Sequence, residues 1–218
     1  KRIGYVENIL QHKTYTSSPP IKKYVELLAK KEGVFDEENL KLIDQFLVTG
    51  LSFDFYCSGA YKVVAEGRFE LKTDRYHING IMDKVAYYDN LIKLFDYKTS
   101  KTKFAKADIQ FNIQALMYSL MESKRNPGIP IEFDFIFLKY KKAPLQNVSI
   151  DMSILSGFEE WLAYMTEYLD DFTFDKALAN MASQDITKRN MMCGRELGEF
   201  NKAGGDAHVC AFKYPSVY

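Results

Sequence analysis

Asp83, Asp96 and Lys98 are the residues whose types and spacing could do chemistry. Asp83 closes the run Gly80-Ile81-Met82-Asp83, and Asp96 and Lys98 end the run Leu94-Phe95-Asp96-Tyr97-Lys98. In a strand, residues two apart share a face, so Asp96 and Lys98 point one way and Tyr97 the other. Asp89-Asn90 lies between the two runs, and each aspartate is six residues from that dipeptide. If the dipeptide is a turn between paired strands, the two carboxylates stand opposite each other. Carboxylates at that spacing repel unless a cation intervenes, which calls for a hard divalent ion such as Mg²⁺ or Mn²⁺. Such an ion could polarise a scissile phosphate and acidify a bound water. Lys98 could orient or deprotonate that water, or stabilise charge developing on the phosphate. Taken alone, the same residues also fit ordinary strand ends with Lys98 as a surface ion-pair partner.

The elements that would position these residues show in the texture of the chain. The first fifty residues carry helical spacing: Ile21, Tyr24, Val25, Leu27 and Leu28 after Pro19-Pro20, then Leu40, Ile43, Phe46 and Leu47 after an acidic opening. From about Ser58 the pattern alternates through YKVVAEGRFELKT, YHINGIMDKVAYYD and NLIKLFDYKTS, separated by Lys72-Thr73-Asp74 and Asp89-Asn90. This predicts three antiparallel strands. KADIQFNIQALMYSLMES then has helical spacing, IEFDFIFLKY reads as a fourth strand, NVSID as a fifth, and Ser153 to Leu169 as an amphipathic helix carrying Trp161. The expected class is α/β, a mixed central sheet flanked by helices. We expect a single domain over 1–218, with 1–55 a helical lead-in, 56–180 the catalytic core and 181–218 a loop-rich, glycine-containing segment.

The 218 residues are 47% hydrophobic, and 29 Lys plus Arg balance 29 Asp plus Glu. A polyanionic partner would therefore have to be met by local charge. Lys93, Lys98, Lys101, Lys103 and Lys106 fall within fourteen residues, and Lys139, Lys141 and Lys142 follow strand four. Of these, Lys101, Lys103 and Lys106 are the candidates for gripping phosphates, although a solvated lysine loop has the same composition. Cys57, Cys193 and Cys210 are too few and too scattered for a disulfide scaffold or a zinc site. With no run of about 18 apolar residues and no secretory leader pattern, we expect no membrane association and a cytoplasmic protein. The chain opens on Lys1, which leaves an upstream segment open.

The ordered set Gly80-Ile81-Met82-Asp83, Asp96-Tyr97-Lys98 and Gln114-Ala115-Leu116-Met117-Tyr118 resembles the GxxD, (D/E)xK and QxxxY motifs of the RecB-like, Cas4-like exonuclease branch of the PD-(D/E)XK nucleases. The likeness covers about Val63 to Tyr140. It implies a restriction-endonuclease-like core in which Asp83 and Asp96 bind metal, the Tyr97 carbonyl can ligate it, and Lys98 is catalytic. Gln114 and Tyr118 would support the site; four apart, they stack on one helix face. Glu66 resembles an acidic residue ahead of GxxD in such proteins and is a further candidate metal or water ligand, though equally a paired surface glutamate.

Two departures from the pattern stand out. The only histidine upstream of GxxD is His12, in a setting unlike the family's helical context, and His77 sits at the wrong position. The cysteine layout echoes the iron–sulfur members but supplies three thiolates where a cluster needs four, so no cluster is expected. The resemblance implies a Mg²⁺- or Mn²⁺-dependent DNA nuclease, an exonuclease acting on single-stranded or free ends in replication, recombination or repair, in a prokaryotic or phage-infected cell. A structure-selective or restriction-like endonuclease of the same fold, and a non-catalytic nucleic-acid-binding module, remain open beside it. A helicase or recombination partner is not specified.

Overall fold

The computed structural model describes residues 2–171 except 54, 107 and 108, together with 173 and 175. Helices α1 (Arg2–His12), α2 (Pro19–Lys31) and α3 (Glu37–Leu51) precede the strands β1 (Lys62–Lys72), β2 (His77–Tyr88) and β3 (Leu91–Lys98). Helix α4 (Ile113–Arg125) crosses to β4 (Ile131–Phe137), and β5 (Leu145–Ser149) and α5 (Met152–Asp170) follow. The chain divides into two compact units, Lys1–Trp161 and Leu162–Tyr218, with the boundary inside α5. All five strands and α1 to α4 fall within the first unit. Most of the segment 181–218, with Cys193 and Cys210, lies outside the described residues.

The sheet has the order β1-β2-β3-β4-β5. β1, β2 and β3 form the expected meander, β3 and β4 run parallel, and β4 and β5 antiparallel. The sheet is thus mixed, because a parallel neighbour can be reached only by a crossover such as α4. Tyr88↔Leu91 closes the β2–β3 hairpin around Asp89-Asn90, as the sequence suggests. The helix anticipated from Lys106 onward is shorter. A 3₁₀ turn at Ile109–Phe111 comes first, and α4 starts after Asn112, whose side chain accepts from Ala115 N at 3.1 Å and caps the helix.

β4 is buried along nearly its whole length, with Phe133, Phe135, Ile136 and Phe137 fully inaccessible. Each such side chain contributes roughly 1.5–3 kcal/mol, and burial on both sides is what a strand between two neighbours and two covered faces requires. On the face away from α4, Cys57, Ala86, Phe95 and Ile136 pack with Phe53, Tyr97 and Leu138. The lead-in has its own core of Ile9, Tyr15 and Val25 against Ile21, Leu40, Ile43 and Leu47. Gln45 on α3 ties it to the sheet by donating to the carbonyls of Leu138 and Lys139 at 3.2 and 3.0 Å.

The β1–β2 ladder breaks at one row. Pairing runs to Ala65↔Lys84 and resumes at Gly67↔Met82, leaving Glu66 and Asp83 unpaired, with Glu66 at φ 51°. The alternation of both strands shifts phase there. Lys84 lies on the face of Phe95, 4.1 Å from its ring centre, whereas a side chain at Gly80, four residues earlier, would meet Tyr118 on α4. A regular strand would put positions 80 and 84 on one face. This break in the ladder lets Asp83 face α4 while Gly80 before it also packs there.

Candidate active site

β2 and β3 carry the two aspartates to one place. The pairing Lys84↔Phe95, continued by one step, sets Asp83 opposite Asp96. Asp83 Oδ2 accepts from the backbone N–H of Tyr97 at 2.8 Å, which fixes its carboxylate beside the end of β3. Asp96 is buried. Its Oδ1 accepts from Gln114 Nε2 at 2.6 Å, and Lys98 Nζ lies 2.9 Å from its Oδ2. Lys98 also donates to Gln114 Oε1, so Asp96, Lys98 and Gln114 close a three-membered ring of contacts. A carboxylate only accepts and an ammonium only donates, so this ring dictates which end of the Gln114 amide faces which partner.

Burial pushes the Asp96 carboxyl up, Lys98 pulls it down, Asp83 raises it and Gln114 lowers it; the net direction is upward. The cause is charge balance as well as burial: two carboxylates meet one ammonium. Lys98 lies 5.8 Å from the ring centre of Phe135, the residue paired with Asp96 on β4. This apolar floor keeps the site from full hydration on one side.

Tyr118, one turn along α4 from Gln114, donates to the Ile81 carbonyl at 2.8 Å and stacks on Phe133 with ring centres 6.4 Å apart. A Cβ at position 80 would approach the Tyr118 ring to 3.0 Å, so the glycine of the GxxD run is where the tyrosine of the QxxxY run rests. Sequence spacing alone does not reveal that contact, since the two residues are 38 positions apart.

Tyr97 turns its side chain to the far face, where burial first, then Cys57 and Asp83, pushes its phenol up to about 12. Its N–H, rather than its side chain, meets the site. Glu66 stands in the row of Asp83 but is exposed with a left-handed backbone. Among the described residues no three His, Cys, Asp or Glu side chains gather as a ligand set, so Glu66 is not brought to the two aspartates. His12 ends α1, exposed, and His77 pairs with Glu70 at 2.7 Å. Cys57 is buried in the far-face core.

The lysine rim is smaller than its count in the sequence. Lys93 sits 3.4 Å from both Glu132 and Asp134, on the strand face opposite Asp96, because odd and even positions of β3 part to different sides. Lys103 folds back to donate to the Ala143 carbonyl, with its ammonium 4.9 Å from the Tyr140 ring centre. Lys101 and Lys106 are exposed. A residue that pattern reading passes over is Glu122, which continues the face of Gln114 and Tyr118 by another four positions and is fully buried beside Tyr87. Spacing of four along the helix is the signal that would have found it.

No helix among the described residues is long and apolar enough to cross a membrane. No protein-family model and no curated protein matches the sequence. Among solved structures, a candidate exonuclease from Eubacterium rectale is similar to this chain at 12% identity and a TM-score of 0.43. That match covers 76% of this chain and 64% of the other, so the chain spans less than two thirds of that protein's length.

Proposed function

We propose that this chain is a divalent-metal-dependent DNA nuclease, and that it acts as an exonuclease on DNA ends. The observation that carries the reading is the ring of Asp96, Lys98 and Gln114 with Asp83 anchored opposite it. Its formal charge, two carboxylates against one ammonium, leaves a deficit that a dication would offset. The donor chemistry fits such an ion: hard oxygens, one of them Asp96 Oδ2, buried and without an aligned hydrogen bond. Mg²⁺ takes one or two carboxylates and completes its shell with water and phosphate oxygens, so two aspartates suffice without a third side chain. Asp83 and Asp96 would hold Mg²⁺ or Mn²⁺, with the Tyr97 carbonyl a further donor.

When bound, the ion supplies Lewis-acid polarisation of the phosphate and a more acidic water. The chain's own residues do the rest. Lys98, held by Asp96 and Gln114, keeps an ammonium where charge develops on the phosphate. Gln114 fixes the spacing of Asp96 and Lys98, and Tyr118 fixes the strand that bears Asp83. Lys101 and Lys106 are free to meet the backbone of the substrate strand. The ordered motifs that resemble RecB-like nucleases support the same reading and its preference for ends.

The test compares end-labelled single strands, linear duplex and covalently closed circles, with Mg²⁺, with Mn²⁺ and with chelator. Cleavage of linear substrate that needs the metal, and falls at least about a hundredfold in folded Asp83→Ala, Asp96→Ala and Lys98→Ala, is expected. Undiminished cutting in chelator, or near-native rates in all three variants, overturns the reading. Rapid nicking of closed circles would replace the exonuclease with an endonuclease.

A further inference from the structure

A second polar pocket lies outside this site, on the edge strand β1. About 420 Å³ in volume, it is lined by Tyr61, Lys62, Arg68, Phe69, Tyr87 and Arg125 among others, and no carboxylate lines it. Three cations surround three aromatic rings. Arg125 is partly committed: its guanidinium lies 4.8 Å over the Phe69 ring, 3.6 Å from Glu122, and donates to the Glu70 carbonyl at 2.9 Å. Lys62 lies 5.0 Å from the Tyr87 ring centre. Among the described residues neither Lys62 nor Arg68 has an acid within ion-pair distance, and both are exposed. Tyr61, two-thirds exposed, stands 6.4 Å from Tyr87 and offers an open ring at the rim.

Glu122 lies beneath, fully buried, and burial raises its carboxyl while Tyr87, Arg125 and Lys62 lower it, leaving the net direction upward. It sits under Arg125 at 3.6 Å and is not among the residues that line the pocket. Of the exposed acids on β1, Glu70 is held by His77, and Glu66 is not among the residues that line the pocket.

The pocket's place in the sheet gives it a ligand. Gly67 and Arg68 directly follow Glu66, the residue in the row of Asp83, and that row continues to Asp96. β1 and β3 are two strand spacings apart, about 10 Å. A stacked strand rises about 3.4 Å per nucleotide, so Gly67 and Arg68 are roughly three nucleotides from Asp96, and Lys62, four residues before Glu66, lies farther along β1. The geometry points to a phosphate-binding subsite: Lys62 and Arg68 hold backbone phosphates of the substrate strand beyond the bond being cut, and the Tyr61 ring stacks on an adjoining base. This rests on the nuclease reading for its substrate but uses none of the residues of the cutting site.

The subsite is tested by binding as well as turnover. A short fluorescein-labelled oligo-dT is titrated in Ca²⁺, with its integrity checked on a gel, across a range of salt. Lys62→Ala/Arg68→Ala should weaken binding about tenfold or more and flatten the salt slope by about 0.7 per lost phosphate contact. In Mg²⁺ the same variant should raise KM with kcat nearly unchanged. Lys72→Ala, an exposed lysine on β1 outside the pocket, should do neither. Unchanged affinity and slope overturn the subsite and leave the two cations as guards against pairing at the β1 edge; loss of kcat alone overturns it too. If no metal supports cutting but binding still depends on Lys62 and Arg68, the subsite stands and the nuclease reading falls. If cutting proceeds and binding ignores the pair, only the subsite falls.

Discussion

Replacing Gln114 gives a prediction whose sign, and not only its size, follows from the structure. Its amide donates to Asp96 at 2.6 Å and accepts from Lys98. Gln114→Ala removes both bonds while leaving the carboxylate and ammonium in contact at 2.9 Å. A hydrogen bond to a charged group contributes about 1.5–3 kcal/mol. If the loss falls on the transition state, it corresponds to roughly a ten- to hundredfold drop in single-turnover rate. Gln114→Glu keeps the shape but replaces the donor facing Asp96 with a carboxylate oxygen, setting two acceptors where there was one bond. The near-isosteric change should therefore be the more damaging of the two. The assay is single-turnover cleavage in Mg²⁺, with metal affinity measured by calorimetry. Gln114→Ala should keep its metal, because Asp83 and Asp96 both remain. Gln114→Glu cutting as fast as Gln114→Ala, or faster, would refute the assigned amide geometry, and lost metal binding in Gln114→Ala would refute the supporting role.

Tyr118→Phe removes the bond to Ile81 but keeps the ring on Phe133, so urea unfolding should show a loss of about 1 kcal/mol, and cleavage should slow with metal affinity retained. Gly80→Ala places a methyl 3.0 Å from a Tyr118 ring that is itself backed by fully buried Phe133, and overpacking of this kind costs about 1–3 kcal/mol, read as a lower unfolding midpoint. Burial raises Glu159, but Lys124 at 2.7 Å and Tyr76 at 2.6 Å outweigh it and hold the carboxyl below its usual range. Its contribution is thus present above the unfolded-state value and fades as pH falls through the lowered one, so Glu159→Gln should reduce Tm at neutral pH and match the parent once both are acidified past that window.

The strands, the Asp89-Asn90 turn and the facing of Asp83 and Asp96 were legible because period-two alternation and a two-residue turn leave little freedom of register. The mixed α/β sheet followed from the same pattern. The start of α4 is hidden in the sequence although Asn112 is an ordinary helix cap, because apolar spacing continues through the 3₁₀ turn at Ile109 and masks it. The lysine rim was overcounted by adding residues along the chain without dividing them between faces; Lys93 is on the wrong one. The break in the ladder at Glu66 and Asp83 is not legible, since glutamate does not announce the left-handed backbone that Glu66 adopts.

That break also gives the three short motifs a common physical reason. Gln114 reaches Asp96 on β3, and Tyr118 reaches the Ile81 carbonyl on β2, so one face of α4 clasps both strands that bear the aspartates. Moving the helix register by one residue would turn that face by about 100° and break both bonds together. The phase shift at Asp83 turns position 80 toward α4, where a Cβ would crowd the Tyr118 ring at 3.0 Å. Glycine before the first aspartate, lysine two after the second, and glutamine four before tyrosine are therefore not three separate signatures. They are the contact points of a single clamp, in which Gly80 admits the Tyr118 ring and Gln114 spans Asp96 and Lys98.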